Sequence, residues 1–329
     1  MILKATTLAA AVDLGGSKIL SVVADAHGRV VSRDLRKTPA DKSPETVINE
    51  VLASLRAAMA AAGDRAKIAG IGLAAPGTSN PETGVVFASP NLPGWHQVPL
   101  RDTVSEKMGL PAWLINDANA AALGELYFGA ARGARNFVYV TLSTGIGGGI
   151  VIGGELYSGA SGAAGEIGHM TIVDDGPLCN CGNRGCWEQM ASGSALAREA
   201  KKRIGEGAAT IILELAGGDV DEVTAETVGR AFDRGDNLAR ELVRQTSCYF
   251  GVGLANLVNI FNPELIVIGG GLANMGDKLL VPAFREAGKR AFKDSCGAVS
   301  FVRAGLGSDS GVLGAAAWAL GKAANYTAA

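Results

Sequence analysis

Apolar and polar positions fall into phase with regular structure in two cycles along this 329-residue chain. Residues 8–13 form an apolar run closing on Asp13, and Gly15-Gly16 follow as a tight turn. Ile19 to Asp25 and Val30 to Lys37 read as the next two strands, so the chain opens as an antiparallel meander around a glycine turn. Ser43-Pro44 supplies an N-cap and a proline at the first helical position. Val47, Val51, Leu55 and Met59 then recur on one face, and Gly63 ends the helix after Ala62. Ile68 to Ala74 is apolar or glycine throughout, the pattern of a strand buried on both faces. A loop (APGTSNPETG), a strand at Val85–Phe87 and the turn-rich SPNLPGWHQVP follow. A short strand at Trp113–Asn116 and a helix over Ala118–Ala131 complete the first cycle.

The second cycle begins at Asn136. Phe137–Leu142 is a strand, Gly145–Gly149 a turn and Ile150–Ile152 a return strand. VDLGGSKILSVV and TLSTGIGGGIVI share this order, which predicts two related halves. Helices are expected near Ser192–Arg203, Ala208–Ala216, Ala225–Asp233 and Asn237–Phe261. A strand at Leu265–Ile268 runs into Gly269-Gly270-Gly271. A helix near Lys278–Phe292, a strand at Val299–Arg303 and a last helix from Ser310 close the chain. Strands and helices alternating twice around glycine turns predict an α/β fold with two lobes. The lobes are expected at 1–116 and 117–309, with the helix 310–329 returning to the first.

Composition narrows the class. With 48% hydrophobic and 19% charged residues the chain can bury a large core. A net charge of −2 gives no electrostatic footprint for nucleic acid or an anionic membrane. No apolar stretch reaches membrane-spanning length. The opening MILKATTLAAAVDLGG is broken by Asp13 and leads straight into the first strand, so it reads as part of the fold rather than a cleaved leader. The expected location is the cytoplasm, which suits reduced thiols.

Three of the five cysteines lie in one stretch, GEIGHMTIVDDGPLCNCGNRGCWE, which spans Gly165 to Glu188. His169, Cys179, Cys181 and Cys186 have the spacing H-x9-C-x-C-x4-C. Three thiols within eight residues and one imidazole are the donor set of a tetrahedral Cys3His Zn²⁺ site with no open position, hence a structural one. Gly182 and Gly185 let the loop turn between thiols. Glu166 and Glu188 bracket the ligands. His27 and His96 read as surface histidines, Cys248 as core and Cys296 as a loop thiol.

Other positions carry candidate chemistry. Glycine turns let backbone N–H groups approach phosphate oxygens. Asp13-Leu14-Gly15-Gly16-Ser17-Lys18, Ser143–Gly149 and Gly269–Gly271 are such turns. No Walker P-loop is present: in GLANMGDK at 271–278, Asp277 stands where lysine is required. Asp117 lies between a strand and a helix, where a carboxylate commonly serves as an N-cap.

These motifs together resemble the ROK family of bacterial sugar kinases and sugar-responsive repressors. The resemblance rests on G-E-x-G-H followed by C-x-C-G-x-x-G-C-x-E, on DLGGSK at 13–18, NDANAAALGE at 116–125 and STGIGGG at 143–149, and runs from about residue 8 to 320. It implies a duplicated ribonuclease-H-like (actin-like ATPase) fold with a cleft between two lobes. It also implies ATP-dependent phosphorylation of a hexose at the 6-hydroxyl, with Mg²⁺ on the nucleotide and structural Zn²⁺. NLPGWHQVPLRD and CWEQMASG resemble the family's glucokinases, so glucose is the expected substrate. N-acetylmannosamine, N-acetylglucosamine, mannose, fructose and allose stay open. Asp117 maps onto the family's catalytic base. The resemblance places Glu166 and Glu188 on the ring hydroxyls and His169 beside them. Asn91, Asn116 and Asp117 also supply the acceptor types a sugar needs, Asn91 reading equally as a turn residue before Leu-Pro-Gly, and Gly77 is a candidate for backbone approach to the sugar. The resemblance places Gly15, Gly16 and Ser17 of the first turn at the nucleotide phosphates, Asp13 near Mg²⁺, and Gly269, Gly270 and Gly271 near the adenosine; Thr144 and Gly145 of the second turn are further phosphate-binding candidates, and Lys18 reads equally as a phosphate contact or a solvated surface charge. Ser17 departs from the usual threonine and keeps the hydroxyl. Polyphosphate or ADP stays open as donor. The partners implied are a hexose and a nucleotide, with a homodimer or homotetramer as the assembly. A sugar-sensing repressor of the same family carries a helix-turn-helix module ahead of its core, and a first strand near residue 8 leaves no room for one here. An actin-like ATPase gives the zinc loop and its two glutamates no role.

Overall fold

The computed structural model of this chain describes residues 7–63, 68–89 and 92–326. Packing divides it into two compact units. One comprises Met1–Arg135, Gly149–Gly165 and Ala304–Ala329; the other comprises Asn136–Gly148 and Glu166–Arg303.

In the first unit, β1 (Leu8–Leu14) turns back through Gly15-Gly16 into β2 (Lys18–Asp25), with Asp13 opposite Leu20, and β3 (Val30–Lys37) continues the meander. Helix α1 (Pro44–Ala62) starts on a Ser43 side chain that accepts from the Thr46 N–H, with Pro44 at the first position. The chain returns through β4 (Ile68–Ala75), parallel to β1. A small antiparallel sheet of β5 (Thr78–Asn80), β6 (Val85–Ala88) and β7 (His96–Val98) follows. Then come α2 (Leu100–Met108), β8 (Ala112–Asn116) parallel to β4, and α3 (Asp117–Phe128). The main sheet has the order β3-β2-β1-β4-β8.

The second unit begins with β9 (Phe137–Leu142), and a turn at 143–145 leads into β10 (Ile146–Ile152), which neighbours it. From Gly149 the chain counts with the first unit, where β10 pairs with the two-residue β11 (Glu155–Leu156). The second unit resumes with the cysteine loop, α4 (Trp187–Ala191), α5 (Gly193–Gly205), α6 (Ile212–Leu215), α7 (Ala225–Asp233) and α8 (Asn237–Phe261). It ends with β12 (Leu265–Gly269), parallel to β9, then α9 (Asp277–Arg290), α10 (Lys293–Ala298) and β13 (Ser300–Arg303), parallel to β12. Helix α11 (Ser310–Tyr326) belongs to the first unit.

Period-2 alternation decides which way the first sheet's side chains point. Val12, Leu14, Ile19, Val23, Ile71 and Leu73 pack with Val47, Val51 and Leu55 of α1. The other face presents smaller groups, Ala9, Ala11 and Ala74, to α3 and α11. These small residues let the helices approach closely: a Cβ on Gly314 of α11 would lie 1.6 Å from the Ala120 carbonyl of α3. That packing holds α3 with the first unit, so the division falls at Arg135 rather than at Asn116.

Several expectations on local structure are corrected. Helix α2 occupies a stretch between Pro99 and Trp113 to which the sequence pattern assigned no element. It carries only two buried apolar residues, Leu100 and Val104, and its Pro99 cap makes no side-chain bond, so the sequence signal is faint. The helix expected over Ala208–Ala216 shrinks to Ile212–Leu215, because Asp236 accepts from the Thr210 hydroxyl and the Ile211 N–H and holds that segment in a turn. The helix expected over Ala118–Ala131 stops at Phe128. Cys248 is half-buried rather than core, and Cys296 lies on α10 rather than in a loop. His27 and His96 are exposed. Among the described residues no helix is long and apolar enough to cross a membrane.

Candidate active site and metal centre

The cysteine loop has little apolar content of its own. Its hydrogen bonds and glycines shape it. The Cys179 N–H donates to the Asn183 carbonyl at 2.7 Å, and Thr171 and Leu178 form isolated bridges with Cys186 and Arg184. Gly185 has φ +63°, and a Cβ there would lie 1.5 Å from the Val173 carbonyl. This folding gathers His169, Cys179, Cys181 and Cys186 so that their donor atoms all lie within 4.8 Å of one another.

A tetrahedral zinc with Zn–S near 2.3 Å and Zn–N near 2.05 Å has edges of about 3.8 Å between sulfurs and about 3.6 Å between sulfur and nitrogen. The Cys181 and Cys186 sulfurs are 3.7 Å apart, and His169 Nδ1 lies 3.6 Å from Cys179 Sγ. Burial, followed by the two neighbouring thiols, pushes the Cys186 thiol up to about 12. The backbone N–H of Asn183, opposed by desolvation, leads the lowering of Cys181. Crowded thiols resist ionising together, and a divalent cation removes that resistance. Donor type, number and spacing all fit zinc. The opposite ring nitrogen of His169, Nε2, lies 3.8 Å from Glu166 Oε2. One imidazole therefore faces the thiols with one nitrogen and a carboxylate with the other.

Cys186 ends the loop and α4 begins at once. Trp187 is fully buried, stacks on Phe250 with centroids 5.2 Å apart, and donates its indole N–H to the Tyr249 carbonyl. The next residue, Glu188, is thus held between the cysteine cluster and the core of the unit. Its Oε2 accepts the Ile146 N–H at 3.1 Å, where β10 begins directly after the second glycine turn.

That turn closes with the Ser143 N–H donating to the Gly145 carbonyl. Its first residues, Ser143 and Thr144, line a cavity of about 750 Å³, together with Gly271 of the third glycine run. Gly145, Gly269 and Gly270 were also expected at the nucleotide, from turn chemistry and the family resemblance. Gly269 ends β12, Gly270 (φ +94°) packs on the backbone of Leu142, and Gly145 sits against Glu188. Residues of α5, α7 and α9, among them Ser194, Glu226 and Lys278, the α7 cap Thr224, and the segment after Gly271 also line the cavity, and no local motif announced them. Lys278 pairs with Asp233 at its rim.

In the first unit, β1 and β4 end beside each other, and the first glycine turn follows β1. The Gly15 N–H donates to the Lys18 carbonyl, and the Thr38 hydroxyl donates to the Gly15 carbonyl at 2.6 Å. Gly16 is half-buried, and Ser17 and Lys18 are exposed. Burial pushes the Asp13 carboxyl up to about 6, with Lys18 opposing. A Cβ on Gly311, at the start of α11, would lie 2.8 Å from Asp13 Oδ2, so glycine there leaves room for the carboxylate.

Asn116, not Asp117, caps α3: its Oδ1 accepts from the Ala118 and Asn119 N–H groups, and its Nδ2 donates to the Gly77 carbonyl at 3.3 Å. Asp117 is the first helical residue, partly exposed, and its Oδ1 also meets the Ala118 N–H. Asn91 lies outside the described residues.

Residues 9–322 match the ROK family. The glucokinase of Streptomyces coelicolor is 38% identical over 309 residues, covering 93% of this chain and 95% of that protein. The xylose repressor of Caldicellulosiruptor bescii is 34% identical over 282 residues, 85% of this chain and 70% of the repressor. Among solved structures, a ROK family glucokinase from Streptomyces griseus in complex with glucose and AMPPNP is similar at TM-score 0.81 and 37% identity. The match covers 94% of this chain and 98% of that one.

Proposed function

Since the chain belongs to the ROK family, we propose that it is an ATP-dependent hexose kinase that converts glucose to glucose 6-phosphate. The observation that carries this reading is the cysteine loop. His169 turns one nitrogen to the thiols and the other to Glu166, while the same loop delivers Glu188 to a glycine turn. A metal-braced pair of carboxylates suits a polyhydroxylated ligand, whose hydroxyls need several fixed acceptors. It has no use in an ATPase without a sugar.

His169, Cys179, Cys181 and Cys186 would hold a structural zinc, which would fix the loop's geometry. In the second unit, Glu166, His169 and Glu188 hold the sugar hydroxyls. In the first unit, Asn116 and Asp117 are the sugar-binding candidates, with Gly77 contributing backbone, and Asn91 lies outside the described residues. Asp117 orients the 6-hydroxyl and accepts its proton as the oxygen bonds to the γ-phosphorus and the bond to the β–γ bridging oxygen breaks, releasing ADP. The nucleotide base and ribose occupy the 750 Å³ cavity beside Thr144 and Gly271. Gly269 and Gly270, at the end of β12, lead into Gly271, which lines that cavity. In the first unit, Gly15, Gly16, Ser17 and Lys18 are the phosphate-binding candidates. Asp13 is the residue that would hold Mg²⁺, which would supply charge stabilisation on the transferring phosphoryl group. The cytoplasm, where ATP and reduced thiols coexist, is the compartment this chemistry needs, and a homo-oligomer is the assembly.

The test is ADP production from Mg²⁺-ATP across a sugar panel. Glucose-dependent turnover is expected. A signal confined to an N-acetylated sugar or fructose would overturn the substrate assignment, and turnover indifferent to sugar would overturn the kinase. The similarity to a xylose repressor gives a second reading, sugar sensing without transfer. Sugar binding with no ADP formed would favour it.

A further inference from the structure

We infer that Gly145 is a positioning residue for sugar recognition, acting through Glu188, and that the second glycine turn divides its labour between nucleotide and sugar. This rests on the kinase reading above. The turn's first half, Ser143 and Thr144, lines the large cavity, and Gly145 and Ile146 do not. Those two residues face the cysteine loop instead. The Ile146 N–H donates to Glu188 Oε2 at 3.1 Å. A Cβ on Gly168, one residue before His169, would lie 1.9 Å from the Ile146 carbonyl. The Ile146 backbone is therefore gripped by both ends of the metal loop.

Gly145 is what permits the grip at Glu188. The three atoms nearest a Cβ built on it all belong to Glu188: Oε2 at 2.2 Å, Cδ at 3.2 Å and Cγ at 3.8 Å. Its φ lies outside the left-handed region, so the backbone itself accepts alanine. The absent side chain at 145 thus serves one purpose that the geometry displays: it seats the Glu188 carboxylate. The Ile146 N–H takes one lone pair of that carboxylate and leaves the remaining acceptor positions for hydroxyl donors.

The variant Gly145→Ala tests this cleanly, because the obstacle it meets is the tip of a flexible side chain rather than backbone. Glucose and AMPPNP affinities are measured by calorimetric titration, kcat/KM for glucose by coupled ADP release, and zinc content by metal analysis. Displacing one charged acceptor is expected to weaken glucose binding by roughly 10- to 100-fold. AMPPNP affinity should stay within about threefold and zinc stoichiometric, because Gly145 touches neither the cavity nor a thiol. In a Glu188→Ala background, Gly145→Ala should change kcat/KM by less than about threefold, since the group it acts through is gone. Loss of AMPPNP affinity with glucose affinity retained would overturn the inference and leave the kinase standing. So would losses that multiply in the double variant. A wild-type protein that neither binds nor phosphorylates glucose would overturn the kinase reading and this inference with it.

Discussion

Glu125 offers the sharpest test of how the first unit is held together. Its carboxylate, fully buried on α3, receives four hydrogen bonds. Oε2 accepts from the Ala130 N–H at 2.7 Å and the Gly305 N–H at 2.8 Å. Oε1 accepts from the Leu306 N–H at 3.0 Å and the Ser310 hydroxyl at 2.7 Å. It thereby ties the segment leading into α11 to the end of α3. Glu125→Gln keeps the shape and changes the donors. An amide placed on the Oε1 side can donate to Ser310, whose hydroxyl rotates to accept, but it confronts the Leu306 N–H. Leaving one buried donor unpaired costs about 1–3 kcal/mol, and weakening the other bonds by removing their charge adds to that, so about 3 kcal/mol is expected. Glu125→Ala strands three backbone N–H groups beside a new cavity and should cost about 4–5 kcal/mol. Urea unfolding followed by tryptophan fluorescence reads the loss, and amide exchange at Gly305 and Leu306 locates it. A glutamine variant within about 0.5 kcal/mol of wild type, well below the cost of one orphaned donor, would refute the reasoning.

Three further outcomes are expected. Asp117→Ala should lower kcat by about 10²–10⁴-fold with nucleotide affinity retained; near-normal turnover would remove it as the base. Cys181→Ala should release the metal and weaken sugar binding before ATP binding, and stoichiometric zinc in that variant would show the ligand set to be wrong. The Asp13 carboxyl, raised from 3.8 to about 6, gives the opposite slope to a paired carboxylate. The unfolded chain loses this proton first, so Asp13 costs nothing below pH 4 and subtracts up to about 3 kcal/mol as pH rises through the interval to 6. Asp13→Asn should therefore flatten the stability profile between pH 4 and 6 and stabilise the nucleotide-free protein at pH 7; an unchanged slope in denaturation midpoints would count against it.

What the sequence determined by itself is what depends on neighbours along the chain. The meander around Gly15-Gly16, the Ser43-Pro44 start of α1 and the long α8 follow from hydrophobic period and capping chemistry within a few residues. The cluster of His169, Cys179, Cys181 and Cys186 belongs to the same class, because its four members fall within eighteen residues. Helix α2 escaped because two buried side chains are too few to set a period.

Tertiary structure decided the rest. Ile146 and Glu188 are 42 residues apart. The Glu125 donors at Gly305, Leu306 and Ser310 lie 180 to 185 residues away. The cavity beside Thr144 draws on segments as far apart as β9's turn and α9. Gly145 reads in sequence as one more flexible turn residue; only the fold shows that a carboxylate fills the space beside it. The sequence offered Asp117 as the cap of α3, and in the fold the Ala118 and Asn119 N–H groups donate to Asn116 Oδ1 instead. Local patterns encode which residues turn, pair or coil, because those forces act between near neighbours. Which polar group meets which across the chain is settled by packing, because a buried donor or acceptor must find its partner wherever the fold brings one within hydrogen-bond reach.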